Sequence, residues 1–129
     1  MSQRVLVADD EVEMASLLSF NLGCAGYSVA TAHDGNEAFE KARMMLPDAV
    51  VMDLRMPELD GLTVCRLLRD TPSTRNIPVF IITAHGSEQV RAESLRCGAV
   101  DYMSKPFSPR ELVRRLRVAI DDSVAHADD

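Results

Sequence analysis

No apolar stretch in this chain approaches the roughly 18 residues that a membrane-spanning helix needs, so no transmembrane segment is expected. A secretory leader is missing too, because the apolar run in MSQRVLVADDE is four residues long and ends in acids. A cytoplasmic location is the expectation. Cysteine is scarce: Cys24, Cys65 and Cys97 are widely spaced, odd in number and outside any CxxC pair. That argues against a disulfide framework and a zinc site, and the three read as reduced structural thiols. Basic residues are in the minority, 14 Lys and Arg against 20 Asp and Glu, for a net charge of -6. Sequence-independent contact with phosphates needs a basic face, so direct nucleic-acid binding is not expected. Linkers, repeats and low-complexity tracts are also lacking, and 129 residues suit one domain. Residues 1–121 are expected to form it, with 122–129 an acidic, frayed tail or the start of a linker.

What is present alternates between strand-like and helix-like segments. Residues 4–8, 48–53 and 78–83 are short continuous apolar runs, as expected of parallel strands buried on both faces. Residues 27–32 and 99–103 mix polar with apolar positions and suit the sheet edges. Between them, Met14, Leu17, Leu18 and Leu22 repeat at helical spacing, as do Ala38, Phe39, Ala42, Met45 and Leu46. The last helix carries its own start signals: Ser108 as cap, Pro109 in the first position and Glu111 to complete a capping box. Leu112, Leu116, Ala119 and Ile120 form its apolar stripe. Repeated β-then-α units imply right-handed crossovers, with helices on both faces of a five-stranded parallel sheet.

Polar residues end four of the apolar runs: Asp9 and Asp10, Asp53, Thr83, and Lys105. In an open α/β sheet all of them meet at the carboxyl edge, where such sheets bind ligands. Clustered carboxylates repel unless a cation joins them, and hard oxygen donors with room for water suit Mg²⁺. A carboxylate beside such a metal serves as a nucleophile toward phosphorus, with Asp53 the best candidate because it ends the middle run. Thr83 and Lys105 supply a hydroxyl and an ammonium to stabilise transferred phosphoryl charge. Each residue alone has a plainer role: Asp10 caps a helix, Asp53 starts a turn, Thr83 is a strand-end hydroxyl. Independent capping does not explain why a lysine from the last strand joins them.

VLVADDE, VVMDLRMPELDG, IITA and DYMSKPFSPREL, in this order across nearly the whole chain, resemble the motifs of two-component response-regulator receiver domains. The resemblance implies a flavodoxin-like (βα)5 fold with strand order 2-1-3-4-5. It implies a signalling switch that catalyses only its own phosphorylation and slow dephosphorylation, with a sensor histidine kinase donating phosphate to Asp53. By the same resemblance Asp9, Asp10, Asp53 and the Arg55 backbone carbonyl serve Mg²⁺, with Asp9 acting through water. Thr83 and Lys105 hold the phosphoryl group, Tyr102 rotates inward as Thr83 moves, and the Lys105–Pro106 bond is cis. Side chains at Arg55 and His85 screen the hydrolytic water and set phosphoryl lifetime.

NLGCAGY and GAVDYMSKPFSPREL are most similar to the OmpR/PhoB-type transcription regulators. Those dimerise through the face of the fourth helix, last strand and last helix, and the candidates here are Arg91, Glu93, Arg96, Asp101, Arg110 and Arg115. Val100 departs from the pattern, which commonly has an acid there. The resemblance leaves open a stand-alone regulator or a receiver with a C-terminal effector domain outside this chain. Two other readings fit less well. An Asp-nucleophile phosphatase of the haloacid-dehalogenase type places a second acid where this chain has Arg55. A flavodoxin-like cofactor-binding module needs a phosphate-cradling loop after the first strand, where ADDEVE would repel an anion.

Overall fold

Valine and isoleucine crowd the central runs because those strands are covered on both sides. The computed structural model describes residues 3–127. Its strands are β1 (Arg4–Ala8), β2 (Ser28–Ala32), β3 (Ala49–Asp53), β4 (Val79–Thr83) and β5 (Asp101–Ser104). The helices are α1 (Val12–Cys24), α2 (Gly35–Met45), α3 (Gly61–Asp70), α4 (Glu88–Arg96) and α5 (Pro109–Ala127). Every strand pair is parallel and the order is β2-β1-β3-β4-β5, which is the expected 2-1-3-4-5 sheet. Among the described residues no helix is long and apolar enough to cross a membrane.

Alternation along each strand splits the interior in two. Val5, Val7, Val51, Phe80 and Ile82 pack against Leu18 and Leu22 of α1 and Leu112, Leu116 and Ile120 of α5. Leu6, Val50, Met52 and Ile81 pack on the opposite face against Ala38 and Ala42 of α2 and Val64, Cys65 and Leu68 of α3. Each of the Val, Leu, Ile, Phe and Met side chains among them contributes roughly 1.5–3 kcal/mol when fully buried, so the strand bodies are firmly held. Register does the rest. Ala8 sits beside Met52, Asp53 beside Ile82 and Thr83 beside Ser104, so the residues that end the strands line one edge.

Three local expectations are corrected. Leu17 is exposed and Ala15 takes the inward position on α1. Leu46 is exposed as well, because it ends α2 in the left-handed region at φ 48 rather than continuing the helical stripe. On α5, Ser108 Oγ accepts the Glu111 N–H at 3.3 Å as a cap should, but the Glu111 carboxylate turns to Arg114 and Arg115 instead of closing a capping box. The helix runs to Ala127, so residues 122–127 of the segment expected as a tail or the start of a linker are helical. No helix breaker interrupts DDSVAHA, and Ser123 Oγ donates to the Asn76 carbonyl at 2.9 Å, anchoring the extension.

Candidate functional site

Asp9 follows β1 and is held by its own backbone, since its N–H donates to the Ala32 carbonyl at 3.0 Å. Its Oδ1 accepts the Glu11 N–H at 2.9 Å. The turn that opens α1 is thus made by Asp9, and Asp10 is left exposed. Asp53 is the last residue of β3, and its Oδ1 accepts the Arg55 N–H at 3.2 Å. Oxygens of Asp9, Asp10 and Asp53 all lie within 4.8 Å of one another, a spacing that could hold a metal ion. Lys105 reaches across from the residue after β5, and its Nζ lies 2.8 Å from Asp53 Oδ2, 3.2 Å from Asp9 Oδ2 and 3.9 Å from Glu11 Oε1.

The electrostatics follow from burial. Asp9 and Asp53 are 1% and 7% exposed. Burial raises the Asp9 carboxyl above its ordinary pKa, against the pull of the Glu11 N–H and Lys105 and with the push of Asp53. For Lys105, burial alone would lower the pKa, but Asp53 and Asp9 outweigh it and hold the ammonium above its usual value. One cation among three aspartates leaves the cluster negative, so the electrostatics favour a further cation.

Thr83 ends β4, fully buried. Its Oγ1 accepts the His85 N–H at 3.1 Å, which leaves the hydroxyl proton free to donate elsewhere. Its carbonyl accepts the Lys105 N–H at 2.8 Å. The Lys105–Pro106 peptide is cis, as the resemblance implied. Tyr102 is half-buried on β5, packs against the α2–α3 side of the core, and has its hydroxyl 3.4 Å from Ser104 Oγ. The Arg55 and His85 side chains are exposed.

Two glycines matter that sequence reasoning did not single out. A Cβ on Gly61 would lie 2.6 Å from the Asp53 carbonyl oxygen, so α3 starts directly against the residue that ends β3. The Gly61 N–H donates to the Leu54 carbonyl at 2.8 Å and closes that loop. A Cβ on Gly86 would lie 1.8 Å from the Tyr102 hydroxyl. The signals were there, Asp-Gly in LRMPELDG and the glycine of TAHGS after β4, but close approach is a tertiary fact.

The other charged candidates sit on α4, β5 and α5. Arg91 pairs with Glu88 at 3.2 Å, Arg115 with Asp101 at 3.3 Å and with Glu111 at 3.0 Å, and Glu93 accepts from Gln89 at 3.4 Å. Arg96 and Arg110 are exposed. Hydrogen bonds from Arg114 and then Arg115 hold the Glu111 carboxyl down at about 2, below its ordinary value of 4.5. Since the folded pKa is the lower one, the stabilisation is present above about 4.5 and lost as pH falls through about 2. A carboxyl-detected NMR titration is expected to show Glu111 ionised to near pH 2 and shifted upward in Arg114→Ala; an unmoved midpoint in that variant would contradict the pairing.

The sheet order and the acid cluster at its carboxyl edge are those expected of one class, the two-component signalling modules. Within it, the chain belongs to the response regulator receiver domain family, whose sequence profile matches residues 5–117. It is 42% identical over 120 residues to the alkaline phosphatase synthesis transcriptional regulatory protein PhoP of Bacillus subtilis, covering 93% of this chain and 49% of that protein. Response regulator MprA of Mycobacterium tuberculosis is 44% identical over 120 residues, with 93% and 51% covered. The OmpR/PhoB-type likeness is consistent with these relatives, and the chain spans about half their length. A putative response regulator from Chloroflexus aurantiacus superposes with a TM-score of 0.90 at 36% identity, covering 94% of this chain and 99% of that one. The receiver domain of sensor histidine kinase PA1611 from Pseudomonas aeruginosa, solved with a magnesium ion in its active-site cleft, gives 0.87 at 32% identity, covering 94% and 99%.

Proposed function

We propose that Asp53 accepts a phosphoryl group from the phosphohistidine of a sensor histidine kinase and that the new charge switches the α4-β5-α5 face. The observation that carries this is the Lys105 ammonium bridging Asp53 and Asp9 inside a cluster of three aspartates. An Asp53 carboxylate oxygen attacks phosphorus as the P–N bond breaks, and the imidazole leaves with the kinase. Hard carboxylate donors fit Mg²⁺, with Asp10 and Asp53 as direct ligands, Asp9 through water and the Arg55 carbonyl completing the protein set. Bound there, the metal would neutralise phosphoryl oxygens during transfer. Lys105 stays protonated to pair with the phosphoryl group, and the free Thr83 hydroxyl proton donates to it. As Thr83 moves, Tyr102 turns inward. The chain catalyses only its own phosphorylation and slow dephosphorylation, acts in the cytoplasm, and serves either as a stand-alone regulator or as the receiver of a longer transcription regulator.

Incubation with acetyl phosphate and Mg²⁺, followed by intact mass, is expected to show one stable phosphoryl group, lost when EDTA replaces the metal. Uptake that ignores EDTA, or catalytic turnover of the phosphoester, would sink the proposal. Arg55 and His85 lie exposed two residues beyond Asp53 and Thr83, where they screen the hydrolytic water. Arg55→Ala is therefore expected to change the dephosphorylation rate several-fold without blocking phosphorylation, whereas identical decay curves would assign Arg55 to surface pairing alone. Homodimerisation through α4-β5-α5 uses Arg91, Glu93, Arg96, Asp101, Arg110 and Arg115, with the exposed Val100 and Val118 as apolar contacts. Beryllofluoride is expected to raise the sedimentation coefficient at micromolar protein, and an unchanged value would count against the dimer.

A further inference from the structure

We propose that Cys97 and Cys65 form a peroxide-sensitive dithiol that closes into a disulfide stapling α4 to α3. The pair is assembled by packing. Cys65 lies fully buried on α3, and its Sγ–H donates to the Cys97 carbonyl at 3.3 Å, so its sulfur already touches the Cys97 backbone. Cys97 caps the end of α4, is half-buried, and packs on the same core cluster as Cys65.

Cys97 is set up to react first. Arg66 Nη2 donates to Cys97 Sγ at 3.3 Å, so a fixed positive charge sits against that sulfur. The sulfur borders an open surface pocket lined by Leu62, Arg66, Glu93 and Arg96, which gives a small oxidant access. Glu93 and the C-terminal end of α4 also border the sulfur, and Arg96 adds a second positive charge beside it. Cys24 supplies a natural control. It too sits at a helix end and is more exposed, but the last turn of α1 holds no basic residue. Cys65 is the resolving thiol rather than the attacking one, since burial pushes its pKa up to about 11.

The chemistry closes with a hydroperoxide as oxidant. The Cys97 thiolate attacks one peroxide oxygen, the O–O bond breaks, and sulfenic acid forms as hydroxide leaves and takes a proton to become water. Cys65, giving up its proton, attacks the sulfenic sulfur, and the S–O bond breaks to release a second water. Two thiols are oxidised and one hydrogen peroxide is reduced. The bond ties the end of α4 to α3 and restrains a helix of the α4-β5-α5 face.

The test treats the full chain with hydrogen peroxide and maps thiols by mass. Expected are a Cys65–Cys97 cross-linked peptide within one chain, Cys97 consumed faster than Cys24, and a several-fold slower loss of Cys97 in Arg66→Ala. In Cys65→Ser, dimedone is expected to trap Cys97 as its sulfenic acid. Cys97 reacting no faster than Cys24, cross-links only between chains, or an Arg66→Ala rate equal to wild type would each overturn the proposal. No phosphorylation enters these readouts, so they stand apart from the role of Asp53.

Discussion

Asp53→Asn is expected to abolish phosphoryl uptake from acetyl phosphate, a loss of at least about 100-fold, equivalent to more than about 2.7 kcal/mol in barrier. An amide oxygen is a poor nucleophile toward phosphorus and brings no charge to a metal. Shape is preserved: the asparagine carbonyl still accepts from the Arg55 N–H or the Lys105 ammonium, which donate at 3.2 and 2.8 Å in the native site. Stability is expected to change much less than activity. Stripping a buried ion of its partner costs about 3–5 kcal/mol, but Lys105 keeps Asp9 at 3.2 Å and Glu11 at 3.9 Å. Relief of repulsion between Asp9 and Asp53 offsets part of the rest. Intact mass and a thermal melt on the same sample separate the two effects. Residual stoichiometric labelling of the variant would move the acceptor to another residue.

Gly86→Ala is expected to displace Tyr102 without any phosphoryl group. The added Cβ would meet the Tyr102 hydroxyl at 1.8 Å and Ser104 Oγ at 2.7 Å, distances that no relaxed structure tolerates. Two responses compete. Straining the loop costs about 1–3 kcal/mol, as overpacking does. Rotating a half-exposed ring forfeits only part of the roughly 1.5–3 kcal/mol that a fully buried one supplies, so the ring moves. The melting temperature is then expected to fall by only about 3–5 °C per kcal/mol lost in a chain of this size. The chain has no tryptophan and two tyrosines, and in a Tyr27→Phe background Tyr102 becomes the sole fluorescent tyrosine. A changed emission and a shifted ring resonance are the expected result. An unaltered Tyr102 signal would mean that the loop, not the ring, had yielded.

The sheet was legible because its central strands are buried on both faces and leave continuous apolar runs such as VLVA and VFII. The convergence of Asp9, Asp10, Asp53, Thr83 and Lys105 was legible for the same reason, since each stands at or just beyond a strand end. Helix details were not. Periodicity marks Leu17 and Leu46 as apolar, but whether a helix turns them inward depends on which neighbour covers it and where the helix stops. Glu111 carried the right spacing for a capping box, yet two arginines one turn away compete for its carboxylate and prevail. Gly61 and Gly86 serve close approaches between segments distant in sequence, and the Arg66–Cys97 contact depends on how α3 meets α4. No local pattern encodes such meetings.

Lys105 is fastened at both ends. Its amide donates to the Thr83 carbonyl at 2.8 Å and its ammonium to Asp53 at 2.8 Å. One residue therefore links the tip of β3 to the tip of β4 through its own amide and side chain. A change of charge at Asp53 would therefore act directly on a residue whose own amide is hydrogen-bonded to the Thr83 carbonyl.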